Sequence, residues 1–513
     1  MNQIKWKRLL DAGHRISLVL LSLICFSGIA FSAAQNHNDM DIVTAVEVEL
    51  MMDQAVPSYL LDVRCKEGIV TLAGTVNNLL ARDRARDIAE TVKGVRAVVN
   101  RINVDPVKER SDDAIHSDVV NALYTNPATE YFDIAVSVEK GKTTLTGTVD
   151  SYVEKRLAEK VTKGISGVVS VENQIEMKYK TDRSDSDFRH DIKESMRWDT
   201  LVDQNLIRVT VKGKQVTLKG TVGSAAEKSR AITHAWMPGI KDVDADGLKV
   251  ERWARDPDLR TNKYTLKPDK EIKAAVESAL LHDPRVLSTR VSTRVTDGIV
   301  TLSGRVNYLQ AKRAAAQDAR NTVGVVRVKN HLKVVPPVKT IGNAELEDKI
   351  LERLDADAYL GDYDFKANVI AGAADLYGTV DTYYEKIRAE DLASEIAGIL
   401  YVDNNIVVKK TWHPMVFNPY VDESSTEDYA WHTFKPGITT HKSDWKITEN
   451  IRDELFWSPF VDADQVTVVV DDGKATLTGQ VDSWSEYDAA TQNALQGGAV
   501  SVDNDLTISY LAP

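Results

Sequence analysis

The chain is 513 residues long, with 64 Lys+Arg against 76 Asp+Glu and a formal net charge of −12. Its 43% hydrophobic content is enough for packed cores and excludes global disorder, while the acidic balance argues against a general nucleic-acid binder, which needs clustered cations to meet phosphates. Two cysteines cannot build a disulfide framework, and 27 Gly with 14 Pro exclude collagen-like or Pro-rich chains.

Residues 1–34 read as a signal peptide. Lys5, Lys7, Arg8 and Arg15 form a basic start, and Ile16 to Phe31 is apolar. Ser32-Ala33-Ala34 then offers small residues for cleavage before Gln35. The apolar run is shorter than the ~20 residues a membrane span needs, which favours cleavage over an anchor. Cys25 follows Leu23-Ile24 rather than small residues, so lipid attachment is rejected. The expected product is an exported, periplasmic protein whose one remaining thiol, Cys65, lies on a strand as a buried small hydrophobe.

Beyond Gln35 one pattern recurs six times: a hairpin glycine, an apolar alternation, a second glycine, then Val. The clearest copies are Gly68-Ile-Val-Thr-Leu-Ala-Gly74-Thr-Val76 and Gly298-Ile-Val-Thr-Leu-Ser-Gly304-Arg-Val306. The second glycines are Gly74, Gly147, Gly220, Gly304, Gly378 and Gly479. Each sits on the apolar face of its strand, where a missing side chain admits a close helix or marks a bulge. About twenty residues on, Gly, an apolar run and Val-x-Asn-x-Ile/Leu follow in five copies, placing Asn100, Asn173, Asn330, Asn404 and Asn504 at the start of a third strand. The third copy departs, with Ala245-Asp246-Gly247 where Asn is expected.

Each unit opens with a helical spacing, as at Ile272, Ala275, Val276, Ala279 and Leu280. A hairpin closed by a turn such as Asp297-Gly298 follows, then a second helix whose stripe in the first unit is Leu80, Ala81, Ala85, Ile88, Ala89 and Val92. A third strand ends the unit. The crossover helix makes that strand parallel to one of the first two. The expected fold class is α+β: six tandem α-β-β-α-β domains, each a three-stranded mixed sheet with two helices.

The order of elements, the G-x-V-T-L-x-G-x-V core and the closing Gly-Val-x-x-Val-x-Asn-x-Leu resemble the BON domain, a family of bacterial osmotically induced and nodulation proteins. The expected domains are 41–107, 111–180, 185–251, 269–338, 342–410 and 445–511. A connector at 252–268 and an aromatic-rich linker at 411–444 separate some of them. Repeat one resembles repeat four at an offset of 230 residues, two resembles five at 231, and three pairs with six at 259. A three-domain cassette has been duplicated, with added residues before the sixth domain.

No polar constellation reads as catalytic. The recurring glycines and asparagines are structural, the amides bonding a nearby turn backbone. Gly141-Lys142-Thr143 has Val136 where a phosphate loop needs its first glycine, so no phosphate loop is formed. His413, His432 and His441 share the long linker with Trp412 and Trp431, but their spacing is too wide for a local metal motif. These aromatics are expected to pack the linker against domains five and six, or to line a partner groove. No metal, cofactor, catalytic residue or nucleic-acid partner is expected.

Charge is uneven along the chain. Residues 271–340 carry 12 Lys+Arg against 5 Asp+Glu, residues 341–410 carry 7 against 15, and residues 445–513 carry 3 against 12. The fourth domain is a basic module followed by an acidic arm. Either it meets anionic headgroups, which attract each cation by ~1 kcal/mol near a surface, or its cations are solvated or pair with the acidic arm. The BON resemblance implies binding at the bacterial envelope, to phospholipid surfaces, with protection under osmotic stress. Arg294, Arg305, Lys312, Arg313 and Lys329 are the expected headgroup contacts, made peripherally to the membrane. An envelope protein partner is the other form of this expectation, and a chaperone-like or scaffolding role through many weak sites is the second one.

Overall fold

The computed structural model describes residues 38–130, 132–178, 183–255, 259, 263–336, 341–409, 443–458 and 460–508. The expected signal peptide at 1–34 and nearly all of the linker 411–444, with its histidines and tryptophans, lie outside the described residues, as does part of the connector 252–268. Among the described residues no helix is long and apolar enough to cross a membrane.

The six units have one element order. The first runs α1 (Asp39–Met52), β1 (Leu61–Lys66), β2 (Ile69–Val76), α2 (Leu79–Thr91) and β3 (Ala97–Val104). The second has α3 (Asp112–Thr125), β4 (Asp133–Glu139), β5 (Lys142–Val149), α4 (Tyr152–Lys163) and a third strand broken into β6 (Ser170–Asn173) and β7 (Glu176–Met177). The third has α5 (Asp185–Trp198), β8 (Ile207–Lys212), β9 (Gln215–Val222), α6 (Ala225–Ala235) and β10 (Asp242–Val250). The fourth has α7 (Asp269–His282), β11 (Val291–Thr296), β12 (Ile299–Val306), α8 (Leu309–Arg320) and β13 (Arg327–Val334). The fifth has α9 (Asn343–Asp355), β14 (Phe365–Ile370), β15 (Ala373–Val380), α10 (Tyr383–Glu395), β16 (Tyr401–Asn404) and β17 (Val407–Val408). The sixth has α11 (Asp444–Trp457), β18 (Val466–Asp471), β19 (Lys474–Val481), α12 (Trp484–Gln496) and β20 (Ser501–Ile508).

In every unit the middle strand pairs antiparallel with the first and parallel with the third, as β2 does with β1 and β3. The hairpin turn takes two successive residues with positive φ, such as Asp297 at 51° and Gly298 at 71°, which matches the twist of the strands it joins. The second glycine has a different role from the one expected. Gly74 has φ 124°, and a Cβ there would lie 2.1 Å from the carbonyl oxygen of Leu60 at the start of the paired strand. Gly147, Gly220, Gly304 and Gly479 make the same approach, while Gly378 lies against Phe365. The close neighbour is the carbonyl that leads into the partner strand, at the end of the 3-10 turn Ser58–Leu60, not the packed α-helix, and the ladder between β1 and β2 runs without a bulge.

The recurring asparagines tie the third strand to the second helix. Asn100 Nδ2 donates to the Arg82 carbonyl at 2.8 Å, and its Oδ1 accepts from Ile102 N. Asn173, Asn330, Asn404 and Asn504 repeat this pair of bonds. In the third domain, where Asn is missing, β10 slips register between Asp244 and Gly247. A second repeated bond appears only in three dimensions. Asp39 at the start of α1 accepts from the turn amides of Glu67 and Gly68. Asp112, Asp185, Asp269 and Asp444 do the same for their own hairpins.

Both helices of each unit cover one face of its sheet, leaving the other outward. In α2, Ala81, Ala85, Ile88 and Ala89 are buried. In α8 the buried set runs almost around the helix: Leu309, Ala311, Arg313, Ala314, Ala315, Ala316 and Ala319. Such a helix is enclosed on several sides. Its second face packs on other domains. Ala225 of α6 enters the first domain's core, and Leu309 of α8 enters the fifth's. Loops also pair across domains: Ser166 N donates to Ala356 O and Ala358 N to Gly164 O, both at 2.9 Å. Thr200 N likewise donates to Asn321 O, and Val323 N to Trp198 O.

Each first helix ends on a polar side chain that accepts from the amide two residues on: Asp53, Asn126, Asp199, Asp283, Asp357 and Ser458. In domains one, three and five this residue also holds an arginine of the second helix: Asp53–Arg84, Asp199–Arg230 and Asp357–Arg388. Domains two, four and six carry Leu157, Ala314 and Ala489 at the arginine's position. The Asp53 side chain is fully covered and Arg84 meets it at 2.7 Å. Arg84→Ala leaves that carboxylate buried without its partner and is expected to cost about 3–5 kcal/mol in denaturant unfolding; a loss below about 1 kcal/mol contradicts the assignment.

The clamping aspartates also set a pH dependence. Turn amides, Gly68 for Asp39 and Gly141 for Asp112, hold these carboxyls below their usual range. A lowered folded pKa gives stability that is present above the ordinary carboxylate range and lost as pH falls through the folded value. Unfolding measured from neutral pH down into acid should therefore show falling stability, and Asp112→Asn should flatten part of that slope; an unchanged slope contradicts the clamp.

Candidate anion-binding face of the fourth domain

The outward face of a three-stranded sheet is fixed by register. In the fourth domain Val300, Leu302 and Val306 of β12 point into the core and are fully buried. Thr301, Ser303 and Arg305 therefore face outward. Across the ladders, Arg294 lies opposite Thr301, and Thr301 opposite Lys329. Ser303 lies opposite His331, and Arg305 opposite Lys333. Ile299 pairs with Arg327 at the hairpin end. Arg290 precedes β11 and reaches Asn307 at 3.5 Å.

The three strands contain no Asp or Glu. Arg290, Arg294, Arg305, Arg327, Lys329, His331 and Lys333 are all exposed. Strands sit ~4.8 Å apart and same-face residues repeat at ~6.6 Å, so the cations form a dense flat array. The other sheets differ. The second domain's strands carry Asp133, Glu139, Glu172 and Glu176 against Lys142, which is 2.7 Å from Glu172. The sixth domain's carry Asp471, Asp503 and Asp505 against Lys474.

Of the five residues expected to meet headgroups, Arg294, Arg305 and Lys329 share this face. Lys312 does not: it is on α8, in the helix layer behind the sheet, where its carbonyl accepts from Asn330. Arg313 is a correction. It is 5% exposed, and its guanidinium donates to Glu390 of α10 at 2.7 Å, with Asp391 at 3.7 Å. Gln310 bonds Glu395 nearby. Arg313 is thus consumed by the acidic fifth domain and is closed to a headgroup. Strand register also brings Arg327, His331 and Lys333 onto this face, and Arg290 borders it at the start of β11.

Cys65 is half-buried and donates to Asp39, and burial is the main cause that pushes its thiol up to about 11. Such a thiol is unreactive at neutral pH. Among the described residues no group of three or more His, Cys, Asp or Glu could hold a metal ion.

Comparison with known proteins places this geometry. The BON domain model matches six times, at residues 38–106, 111–179, 184–252, 268–336, 342–410 and 443–510. Osmotically-inducible protein Y of Escherichia coli (strain K12) is 29% identical over 147 residues, which cover 28% of this chain and 73% of that protein. Among solved structures, CdsD, a structural protein of the type III secretion system of Chlamydia trachomatis, matches at 15% identity. That match covers 40% of this chain and 91% of that one, at a TM-score of 0.12. The CdsD C-terminal domain matches at 13% identity over 42% of this chain and all of that one, also at a TM-score of 0.12. With six matched copies spanning most of its length, the chain belongs to the BON domain family.

Proposed function

We propose that this protein is a non-enzymatic periplasmic binding protein that docks peripherally on anionic phospholipid surfaces of the bacterial envelope, through the outward sheet face of its fourth domain. The single observation that carries this reading is the exposed array of Arg294, Arg305, Lys329 and their neighbours on strands without a carboxylate. Each cation near an anionic bilayer contributes ~1 kcal/mol, so a flat group of several suffices for reversible attachment. The relative named for osmotic induction supports a role in envelope maintenance or osmotic protection. The polar residues that recur through the repeats support binding over catalysis, since the asparagines and the clamping aspartates are each committed to a backbone bond.

One observation favours a protein partner as the second reading. The fifth domain's outward face exposes Ile370, Tyr377, Tyr401 and Val407, an apolar surface that suits a client or scaffolded protein better than a headgroup.

Co-sedimentation of the full chain with vesicles separates the two. At low salt it should pellet with anionic phosphatidylglycerol vesicles and remain free with neutral phosphatidylcholine. Reversing Arg294, Arg305 and Lys329 to Glu should abolish pelleting, while Lys312→Glu changes it little. Absence of anionic binding, or binding indifferent to the triple reversal, overturns the lipid reading. Suppression of client aggregation without lipid binding supports the second.

A further inference from the structure

We propose that the acidic sixth domain covers a second cationic surface, built jointly by the first, third and fourth domains, and that this surface joins the membrane contact when the sixth domain is displaced. The ligand class rests on the reading above; the covered surface rests on its own geometry.

The cations come from separated points of the chain. Lys93 follows α2 of the first domain. Arg252 and Arg255 occupy the short 3-10 turn Arg252–Arg255 after β10 of the third. Arg320 ends α8 of the fourth. The sixth domain meets them with rings and carboxylates. The Arg255 guanidinium lies 5.6 Å from the centre of the Phe460 ring, and that of Arg320 lies 5.7 Å from the centre of Trp484. Asp462 acts on Lys93, and Asp488 acts on Arg320. Arg255 is held in place, since its stem crosses Gly223, where a Cβ would come within 1.9 Å. Arginine over an aromatic face is a favourable cation–π contact, worth about 0.5–2 kcal/mol.

The buried face of the sixth domain is polar. Ser485, Gln492 and Asn493 of α12 are buried, whereas Glu486 and Thr491 bond within the sixth domain, to Asp462 N, Asp482 N and Asn504. Covering the surface also suppresses charge on both sides. Burial, with Arg252 and Arg255 beside it, pushes Lys93 down to about 7, and burial raises Asp488, beside Arg320, to about 6. Groups driven toward their neutral forms at a contact oppose that contact and regain charge when it opens. The sixth domain therefore acts as an intramolecular stand-in for an anionic surface. It is the part of the chain with 3 Lys+Arg against 12 Asp+Glu in residues 445–513.

The test uses the full chain with the open face already silenced by Arg294→Glu, Arg305→Glu and Lys329→Glu. Into it go Asp462→Lys and Asp488→Lys, which turn two attractions into repulsions at half-buried positions, or separately Phe460→Ala and Trp484→Ala. Displacement is read as a larger radius of gyration in small-angle scattering. Displaced protein should recover binding to phosphatidylglycerol vesicles by about tenfold or more over its parent, as one or two re-exposed cations would give. Arg255→Glu with Arg320→Glu should remove that gain. A displaced sixth domain with no gain, or a gain that survives the Arg255 and Arg320 reversals, overturns the inference. Wild type failing on vesicles while the displaced variant binds overturns the open-face reading and leaves this one standing.

Discussion

Everything in this fold follows from second helices that are buried on more than one side. Small side chains allow it: Ala81, Ala85 and Ala89 in α2, and Ala311, Ala314, Ala315, Ala316 and Ala319 in α8, all bring backbones close. One side of each helix closes its own sheet, and another closes on a different domain. Any polar group on the shared side must then find a partner, because an unpaired buried charge costs several kcal/mol. Asp53 with Arg84, Asp199 with Arg230 and Asp357 with Arg388 satisfy that demand inside alternate domains.

The duplication of the three-domain cassette shows the same rule between domains. Asp83 on the first domain's second helix meets Lys163 of the second domain at 2.7 Å. The position 230 residues on from Asp83 is Arg313, which meets Glu390 of the fifth domain. At the offset of 231 residues Lys163 corresponds to Ser394 and Glu390 to Glu159, so the second junction is closed by a different pair. Charge in the helix layer is thus spent on assembly, and charge on the outward sheets is left for other partners. That division gives the fourth domain's basic strands their meaning and removes Arg313 from the ligand surface.

Much of this was legible in the sequence, and the boundary is physical. The hairpin turns, the glycine-marked strands, the crossover helix and the closing asparagine are local or short-range, so their spacing announced them six times over. The glycine's neighbour was misjudged because alternation gives the face of a residue and not what approaches it; Leu60 O comes from the turn that leads into the paired strand. The aspartate clamp recurs in five of the six units, but Asp39 and the Glu67-Gly68 turn are 28 and 29 residues apart, and only repeat alignment around the turns would have exposed it. Arg313 was read as exposed because a helix periodicity reports one buried stripe, and α8 has a second. Lys333 joined the candidate face through register, opposite Arg305, and Arg290 through its reach to Asn307.

Arg313 in the helix layer is closed, while the fourth domain's sheet cations are open to an anionic surface. Lysine acetylation footprinting of the full chain, with and without phosphatidylglycerol vesicles, tests this most directly. Lys329 and Lys333 should lose reactivity on adding vesicles, while Lys142, Lys366 and Lys474 on the other sheets keep theirs. Equal loss at all five lysines, or no loss at Lys329 and Lys333, would contradict it.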